Sequence, residues 1–510
     1  MFVCSGVLYS YRLGLLGCAA SPKLLEDNKL AGEEGVGNYG LRDQRRALEW
    51  VHDFIADFGG NGSNVTIFGA STGASDILNH LNSTSNGSYP LFARAIVQSP
   101  IIEPNLPSVS LVGVHLSKVM SALRISTIQE LRKVPIDKLV SFTPGPRAVD
   151  DGYFFKNGPT ETRAAEEVPQ NHLHVTEKLT AQCVIEQHIV DTHGPHSSRI
   201  GAKVVQIVPH DNLALVPRPH VPAASQQPVI IGDCNCESFG YASAASEWTP
   251  TAAVRRVGAI CQSVKKANAL LRAYDISAYT PDEEFPEHLL ELINDARFAW
   301  PTHLAAEKFR SSRSLKDSGG VWRYVFDQEA PGSSVPHHAT DLLYLFDTAR
   351  SAFAAQLLLA TPDPDTFFPD RFDVGDDDDD DDVPFDNSAF DNTFDDGSSD
   401  GEPMPAVDQY QYSAVRDALQ TRWLTFAYGQ APWSRDKVFV FGPEGEAGER
   451  GQNIFESRRR TVAWRNALEP LGQTLVQKVG LELSNGPSGG AQLMQRQQML
   501  EEDLHPLHML

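Results

Sequence analysis

A serine in a glycine-flanked turn limits what this chain can fold into. Ser71 is the middle residue of the segment Gly-Ala-Ser-Thr-Gly at 69–73, which directly follows a β-branched, apolar run at 65–68. A stretch typical of a helix begins at about residue 75. Glycine permits the strained backbone of such a turn and the close approach of neighbouring chain. The pattern predicts a nucleophile elbow, which presents a serine hydroxyl at the end of a strand of an α/β sheet.

The motif by itself does not select Ser71. At ordinary abundances of glycine and serine, a chain of this length contains ~0.2 matches to Gly-x-Ser-x-Gly by chance, yet this chain contains three. The second is centred on Ser399 in an acidic tract, and the third on Ser488 in a segment rich in glycine and proline. Neither follows an apolar run, so we interpret both as matches that arise from the amino-acid composition of loops. Ser71 has strand, tight turn and helix in the required order.

Composition limits the class of protein. With 510 residues, of which 41% are hydrophobic, the chain can form a large core in one big α/β domain or in two smaller ones. The net charge of −23 argues against a nucleic-acid-binding protein. Fourteen acidic residues and no Lys or Arg lie between Asp373 and Glu402, and removing their charge from −23 leaves −9. The acidity therefore says little about a substrate.

The order of apolar patterns predicts a mostly parallel sheet with helices on both faces. We expect strands at 2–11, 65–68, 93–97, 228–232 and 321–326. A helix is expected at 42–58, ended by Gly-Gly-Asn-Gly at 59–62, and further helical patterns occupy 252–273, 288–315 and 414–428. Strands that alternate with helices in this way are typical of an α/β fold.

The same reading predicts a single α/β domain over 1–510 with three exceptional segments. Residues 168–215 have several histidines and no clear period, and we interpret them as an irregular insertion. Residues 372–404, with seven consecutive Asp at 376–382, are expected to be a disordered acidic insertion because like charges repel and hydrophobicity is low. Residues 481–510 read as a polar tail with a possible short helix.

Cysteine and histidine spacing gives no indication of a metal site. Cys234 and Cys236 are separated by one residue, which is too short for the usual zinc pair. The histidines at 188, 193 and 196 are interpreted in the same way, and no cofactor is expected. A disulfide such as Cys236–Cys261 is one option that the sequence does not assign.

The sequence leaves the compartment open. No run of eighteen apolar residues is present, so a transmembrane segment is not expected. Residues 1–9 imitate a signal peptide, but they lack a basic start and Arg12 interrupts the segment, so we interpret them as a buried strand. Four Asn-x-Ser/Thr sequons, at Asn61, Asn64, Asn82 and Asn86, suit a secreted protein but are common by chance.

A long ordered match then identifies a family. The segment Gly-Asn-Tyr-Gly-Leu-Arg-Asp-Gln at 37–44 continues through Ala-Leu-Glu-Trp-Val at 47–51 to Phe-Gly-Gly at 58–60. Asn-Val-Thr-Ile-Phe-Gly at 64–69 then leads to Ser71. This series resembles the type-B carboxylesterases, which include cholinesterases and fungal lipases. The resemblance extends over most of the chain outside the two insertions and the tail, and it implies an α/β-hydrolase fold.

The resemblance also locates two partners for the serine, because this fold carries serine, acid and histidine in that chain order. The acid follows the strand at 228–232 by a few residues, which corresponds to Glu237; Asp233 is a less favoured alternative. The histidine lies after the strand at 321–326, just before an acid and an apolar residue. That position is His338, since its spacing to Asp341 fits better than that of its neighbour His337.

The chemistry that the resemblance implies is hydrolysis of a small-molecule or lipid ester. Ser71 attacks the ester carbonyl, His338 removes the serine proton and later protonates the leaving alcohol, and Glu237 orients His338. The backbone N–H of Thr72 is expected to be one oxyanion donor because it follows the nucleophile. Ser99 resembles a second-layer serine found in some family members.

The sequence departs from the family in ways that lead to a further expectation. The His-Gly-Gly-type loop that completes the oxyanion hole is missing, and the one Gly-Gly before Ser71 is the turn at 59–60. Ala70 and Thr72 also replace the family's usual neighbours of the serine. We therefore expect that the chain begins inside the fold without the first strands, through a displaced start, and that 168–215 is a retained intron. Loss of one oxyanion donor typically lowers kcat by about 100- to 1,000-fold.

Alternative functions follow from the same departures. The leading interpretation is an esterase or lipase with a Ser-His-Glu triad. The alternatives are a catalytically impaired fragment and a non-catalytic binding or adhesion module on the same fold. The sequence determines neither the acyl and alcohol specificity nor the oligomeric state.

Overall fold

The computed structural model describes most of the chain, in eight stretches. They are 6–83, 90–103, 105–142, 147–155, 227–312, 319–331, 333–348 and 408–487. Contacts divide the chain into two units, 1–157 with 220–510 and 158–219. Only the first contains described residues. The predictions made for 168–215 and 372–404 therefore lie outside the described residues, as do Ser399 and Ser488.

A six-stranded sheet forms the centre of the first unit. Its spatial order β1-β2-β3-β4-β5-β6 follows the chain order. The strands are β1 (Thr66–Ala70), β2 (Arg94–Gln98), β3 (Val229–Cys234), β4 (Val321–Phe326), β5 (Val438–Phe441) and β6 (Ala447–Arg450). The first five run parallel, and β6 is antiparallel to β5. The mostly parallel sheet is confirmed, and β1 to β4 correspond to four of the five predicted strands.

The fifth predicted strand, at 2–11, is wrong over its described part. Residues 6–11 have no regular structure, and Leu8 is fully exposed. A strand needs a neighbour that takes up its backbone hydrogen bonds, and no described strand pairs with this segment. The structure also contains β5 and β6, which were not predicted. The apolar run of β5 is only four residues long, and so short a run does not distinguish a strand from a helix segment. The sequence of β6, Ala-Gly-Glu-Arg, has no apolar run.

Helices cover the sheet. Those before β3 are α1 (Gly14–Cys18), α2 (Pro22–Leu30), α3 (Tyr39–Phe54), α4 (Thr72–Asn82), α5 (Val109–Ala122), α6 (Ile128–Leu131) and α7 (Ile136–Val140). Between β3 and β5 lie α8 (Ala242–Ser246), α9 (Pro250–Cys261), α10 (Val264–Ala273), α11 (Phe285–Asn294), α12 (Trp300–Ser311), α13 (Thr340–Leu345) and α14 (Gln409–Ala427). After β6 follow α15 (Gln452–Arg458), α16 (Thr461–Ala463), α17 (Glu469–Leu471) and α18 (Gln473–Ser484). Among these described helices, none combines the length and apolar character needed to cross a bilayer.

The helix predicted at 42–58 buries apolar residues that recur at helical spacing. Helix α3 buries Leu41, Leu48 and Val51, whose spacing brings them onto one face. A 3₁₀ turn, Ile55–Phe58, continues it, and Gly59 then adopts a φ of 78°. Glycine adopts this left-handed conformation at little cost, so it commonly ends a helix. The predicted helix is thus confirmed, with its start three residues earlier.

Alternate residues of the central strands pack on opposite faces of the sheet. Ile230 and Trp322 join one cluster with the aromatic residues of α14. Val229 and Ile231 join another, which includes Ile77 of α4. The central strands β3 and β4 are therefore covered on both sides, as is typical of a parallel sheet.

The end of the described chain differs from the predicted polar tail. Helix α18 extends to Ser484, four residues into the segment that was expected to begin the tail at 481. Leu483 is fully buried in the largest core cluster. The helix continues because Val476, Val479 and Leu483 recur at helical spacing and pack against α9 and α11.

The described cysteines are free thiols. Cys18, Cys234 and Cys261 are buried, and Cys236 is half-buried. The disulfide option Cys236–Cys261 is therefore wrong. Within the described stretches, no group of three or more His, Cys, Asp or Glu side chains is arranged to hold a metal ion.

Candidate active site

Ser71 occupies a strained turn between β1 and α4. Its φ of 55° and ψ of −121° lie outside the regions that a serine ordinarily adopts, at a cost of about 1–3 kcal/mol. Surrounding hydrogen bonds hold this geometry. The Ser71 N–H donates to the carbonyl of Gln98 at 3.0 Å, and the Ser75 N–H donates to the Ser71 carbonyl at 3.1 Å. The strand, the strained turn and the helix that the sequence predicts around Ser71 are therefore present.

The two glycines of the motif have different roles in this turn. A Cβ on Gly69 would lie 2.9 Å from the carbonyl carbon of Gly73, because strand and helix cross there. A Cβ on Gly73 would meet nothing within 4 Å. The turn therefore requires glycine at 69 for close approach, while residue 73 faces open space beside the serine.

Glu237 and His338 form a close pair. Oε2 of Glu237 lies 2.5 Å from Nδ1 of His338, and its Oε1 accepts a hydrogen bond from the Cys234 N–H at 2.6 Å. The Glu237 side chain is fully buried, whereas that of His338 is 29% exposed. An acid that is bonded in this way keeps the imidazole in one orientation and leaves Nε2 available as a base.

Two loops at the carboxyl end of the sheet carry this pair. Glu237 begins a 3₁₀ turn (Glu237–Tyr241) after β3, and His338 lies in the loop after β4. A hydrogen bond from the Cys236 N–H to the Pro336 carbonyl, 3.0 Å long, ties the two loops together. The loops therefore bring residues that are 101 positions apart within hydrogen-bonding distance.

Two opposing effects set the pKa of the His338 imidazole. Burial favours the neutral ring and lowers its pKa, but the hydrogen bond and the negative charge of Glu237 outweigh that effect, so the pKa of His338 is raised above its ordinary value. The ring of Phe298 packs against His338 with centroids 5.3 Å apart. Phe298 belongs to a π-helical turn (Asp295–Ala299) between α11 and α12.

Asp341 is a site residue whose role was not predicted from the sequence, where it served only to mark the histidine. It is fully buried, and its Oδ2 accepts hydrogen bonds from Gln98 Nε2 at 2.7 Å and Tyr324 Oη at 2.9 Å. Burial raises the pKa of Asp341, with a further rise from the charge of Glu237. The acid therefore links the end of β2 to the histidine loop. The sequence signal was its position three residues after His338.

The two alternative site residues have other partners. Asp233 is fully buried and paired with Arg323 Nη2 at 2.6 Å and Arg459 Nε at 2.8 Å, so its role is structural. The Nδ1 of His337 lies 2.9 Å from the carbonyl oxygen of His338, and its ring stacks on Phe239. Ser99 is fully buried with a φ of 49°. Among the described residues, its hydroxyl has no hydrogen-bond partner.

The structure places Ser71 at the same edge of the sheet as the acid–base pair. Ser71 follows β1, Glu237 follows β3 and His338 follows β4, all at the carboxyl ends. The hydrogen bonds of the described residues include none between Ser71 and His338. Catalytic hydrogen bonds are often long before substrate binds and tighten in the complex. Thr72 is the first residue of α4, so its N–H lies at a helix start, where backbone donors have no intrahelical acceptor.

Sequence comparison relates the part of the chain around the elbow to esterases. Residues 7–171 match the model of the family described as "Carboxylesterase family". The chain is 35% identical over 139 residues to Carboxylesterase patB of Penicillium expansum, which covers 27% of this chain and 24% of that protein. It is 38% identical over 159 residues to Fumonisin B1 esterase of Sphingopyxis macrogoltabida, covering 29% and 28%. The matches thus span about a quarter of the length of these relatives.

Structural comparison concerns a larger part of the chain. The carboxylesterase EST55 of Geobacillus stearothermophilus superimposes with a TM-score of 0.52 at 18% identity, over 89% of this chain and 74% of that protein. A likeness at this identity concerns the fold and not the reaction. The α/β-hydrolase fold expected from the sequence is confirmed.

Proposed function

Because residues 7–171 match the model of the family described as "Carboxylesterase family", we propose that the chain hydrolyses carboxylic esters by a Ser71–His338–Glu237 triad. The substrate is a small-molecule or lipid ester, and no cofactor takes part. The observation that carries the proposal is the 2.5 Å hydrogen bond between Glu237 Oε2 and His338 Nδ1, at the sheet edge where the strained Ser71 turn also lies.

The reaction divides into two acyl-transfer steps. Ser71 Oγ attacks the ester carbonyl while His338 Nε2 takes the serine proton, and the tetrahedral intermediate collapses as the histidine protonates the leaving alcohol. Water, deprotonated by His338, then releases the acid from the acyl-serine. Glu237 holds the ring and stabilises its cationic form in both steps.

The oxyanion that develops in each step needs hydrogen-bond donors. The N–H of Thr72 is adjacent to the nucleophile at the start of α4, where the positive end of the helix dipole favours negative charge. Thr72 is therefore the donor that we assign from the described residues.

Turnover of 4-nitrophenyl butyrate tests the proposal. We expect Ser71→Ala to lower kcat by at least about 1,000-fold, because the nucleophile is lost while binding remains. A fluorophosphonate probe should label the full chain once, with the label located on Ser71 by peptide mass spectrometry.

Ser399→Ala is the matched control, since Ser399 stands in the same Gly-x-Ser-x-Gly pattern but does not follow a β-branched apolar run in the sequence. It should leave kcat and labelling unchanged. Equal turnover by the wild-type chain and Ser71→Ala, or a label on another serine, would contradict the proposal.

A further inference from the structure

An arginine lies one aromatic ring away from the histidine. Arg297 is part of the π-helical turn, directly before Phe298. Its guanidinium carbon is 5.9 Å from the centroid of the Phe298 ring, whose other neighbour is His338 at 5.3 Å. The same carbon is 5.1 Å from the ring of Tyr241, which ends the 3₁₀ turn that Glu237 begins. Arg297 thus packs against two aromatic rings, one of which also packs against His338.

Within the stretches that the structure describes, the hydrogen bonds of Arg297 use only one of its three nitrogens. Nη1 donates to Tyr241 Oη at 3.0 Å and to Ser484 Oγ at 2.8 Å. In the described part of the chain, Nε and Nη2 donate to no protein acceptor. Neither atom is fully buried. The side chain is partly exposed. Two donors of a fixed cation therefore remain open to solvent and to a ligand.

No carboxylate of the described residues neutralises the charge of Arg297. Among the described residues, no ion pair includes Arg297. Among the charged groups of the described residues that act on His338, Glu237 and Asp341 raise its pKa and Arg297 lowers it, in addition to the lowering by burial. Glu237 is engaged with His338, while burial of Asp341 favours its neutral form. The site therefore keeps a cation whose natural complement is an anion on the substrate.

We propose that Arg297 binds a carboxylate of the substrate, so that the preferred esters carry a negative charge a few bonds from the scissile carbonyl. This inference rests on the function proposed above. A guanidinium presents parallel N–H donors that match a carboxylate in two-point hydrogen bonding, which a neutral acyl chain does not use. Arg297 is in this sense a specificity residue, because it contacts the substrate away from the reacting atoms.

Pairs of esters matched in shape test the assignment. 4-Nitrophenyl hemiadipate carries an acyl carboxylate, and 4-nitrophenyl 6-methylheptanoate replaces that carboxylate with an isopropyl group. A second pair, 4-butyryloxybenzoate and 4-isopropylphenyl butyrate, carries the difference on the alcohol side. The measured quantity is the kcat/KM for the anionic ester divided by the kcat/KM for its neutral partner. Comparing this ratio between wild-type and variant enzymes cancels the difference in intrinsic reactivity between the two esters.

We expect Arg297→Gln to lower this ratio about tenfold for one of the two pairs, through a higher KM for the anionic ester. Which pair responds identifies whether the acyl or the alcohol side carries the charge. Arg297→Lys should retain most of the preference. Tyr241→Phe should retain it as well, because it removes a hydrogen bond that positions Arg297 but keeps the charge and the ring.

A second readout separates charge recognition from a structural role. Removing the cation should raise the pKa that limits kcat/KM on the acidic side, since Arg297 lowers the pKa of His338. An unchanged ratio for both pairs in Arg297→Gln, with neutral esters still hydrolysed, would overturn this assignment and leave the proposed function standing. Absence of turnover for all four esters would overturn both.

Discussion

Oε2 of Glu237 lies 2.5 Å from Nδ1 of His338, although 101 residues separate them in the chain. The contact exists because β3 and β4 are adjacent and parallel, so their carboxyl ends release two loops at the same edge. The hydrogen bond from Cys236 to Pro336 fixes the distance between those loops.

Replacing Glu237 should lower both the turnover rate and the pKa of His338. We expect Glu237→Gln to lower kcat for 4-nitrophenyl butyrate by about 100- to 10,000-fold, because the imidazole loses its orientation and the stabilisation of its cation. Glu237 raises the pKa of His338. The pKa on the acidic side of the kcat/KM profile should therefore fall in the variant.

Glu247→Gln is the control for this experiment, since Glu247 is an exposed acid on the neighbouring α8 turn. Its profile should coincide with that of the wild type. A Glu237→Gln variant with an unchanged profile and unchanged kcat would show that Glu237 does not act on the base.

The two motif glycines should respond differently to alanine. Gly69→Ala should lower the free energy of unfolding by about 2 kcal/mol, because its Cβ would overlap the backbone of Gly73. Gly73→Ala has open space and lies in the first turn of α4, so we expect a change within about 1 kcal/mol, in the stabilising direction. Urea unfolding of both variants measures the difference, and equal losses of stability would contradict this account of the turn.

Asp233 should matter for stability and not for proton transfer. It neutralises two buried arginines, Arg323 and Arg459, each with a side chain that is 2% exposed. Asp233→Asn should lower the free energy of unfolding by about 3 kcal/mol, because it leaves buried positive charge without its partner.

The surface pair Arg46–Glu49 supplies the comparison for Asp233, since both side chains reach solvent. Glu49→Gln should change the free energy of unfolding by less than about 1 kcal/mol. A loss in Asp233→Asn that is no larger than this would show that the buried ion pairs contribute little net stability.

Asp341 should make stability depend on pH in the direction opposite to most carboxyl groups. Burial raises its pKa in the folded state above the value in the unfolded chain. The folded protein then binds more protons, so the contribution of Asp341 to stability is greatest below its unfolded pKa and decreases as pH rises through the raised folded pKa. Asp341→Asn removes this dependence.

We therefore expect Asp341→Asn to be at least as stable as the wild type at pH 7. Its advantage over the wild type should shrink toward low pH, where Asp341 is protonated in both states. Thermal unfolding between pH 4 and pH 8 measures the change. A variant whose stability falls below that of the wild type only at neutral pH would show that the ionised carboxylate is favoured in the fold.

Most of the sheet was predictable because its strands are continuous apolar runs. The segments at 65–68, 93–97, 228–232 and 321–326 each became a strand within one or two residues of the predicted bounds. The segment at 2–11, which was also expected to be a strand, is similarly rich in apolar residues, but residues 6–11 pair with no described strand. A strand depends on its neighbour, and hydropathy does not report whether a neighbour is present.

The residues of the candidate site could be predicted where their spacing along the chain matches that of a known family. They could not be predicted where tertiary packing alone brings them to the site. Ser71, Glu237 and His338 could be chosen in sequence because chain order and nearby strands locate them. Arg297 and Phe298 could not, since they reach His338 through a π-helical turn between α11 and α12. A π turn inserts one residue into a helix and rotates its side chains relative to helical periodicity.

The sequence by itself determined the elbow around Ser71, because the strand, the two glycines and the helix are all within twenty residues of it. Tertiary structure alone decided that Glu237 is bound to His338 while Asp233, four residues earlier, is bound to Arg323 and Arg459. Both acids follow or end β3, and local sequence does not distinguish them. The difference arises because the end of the strand turns one carboxylate into a buried ionic cluster and the other toward the histidine loop, and such a choice depends on contacts between distant segments.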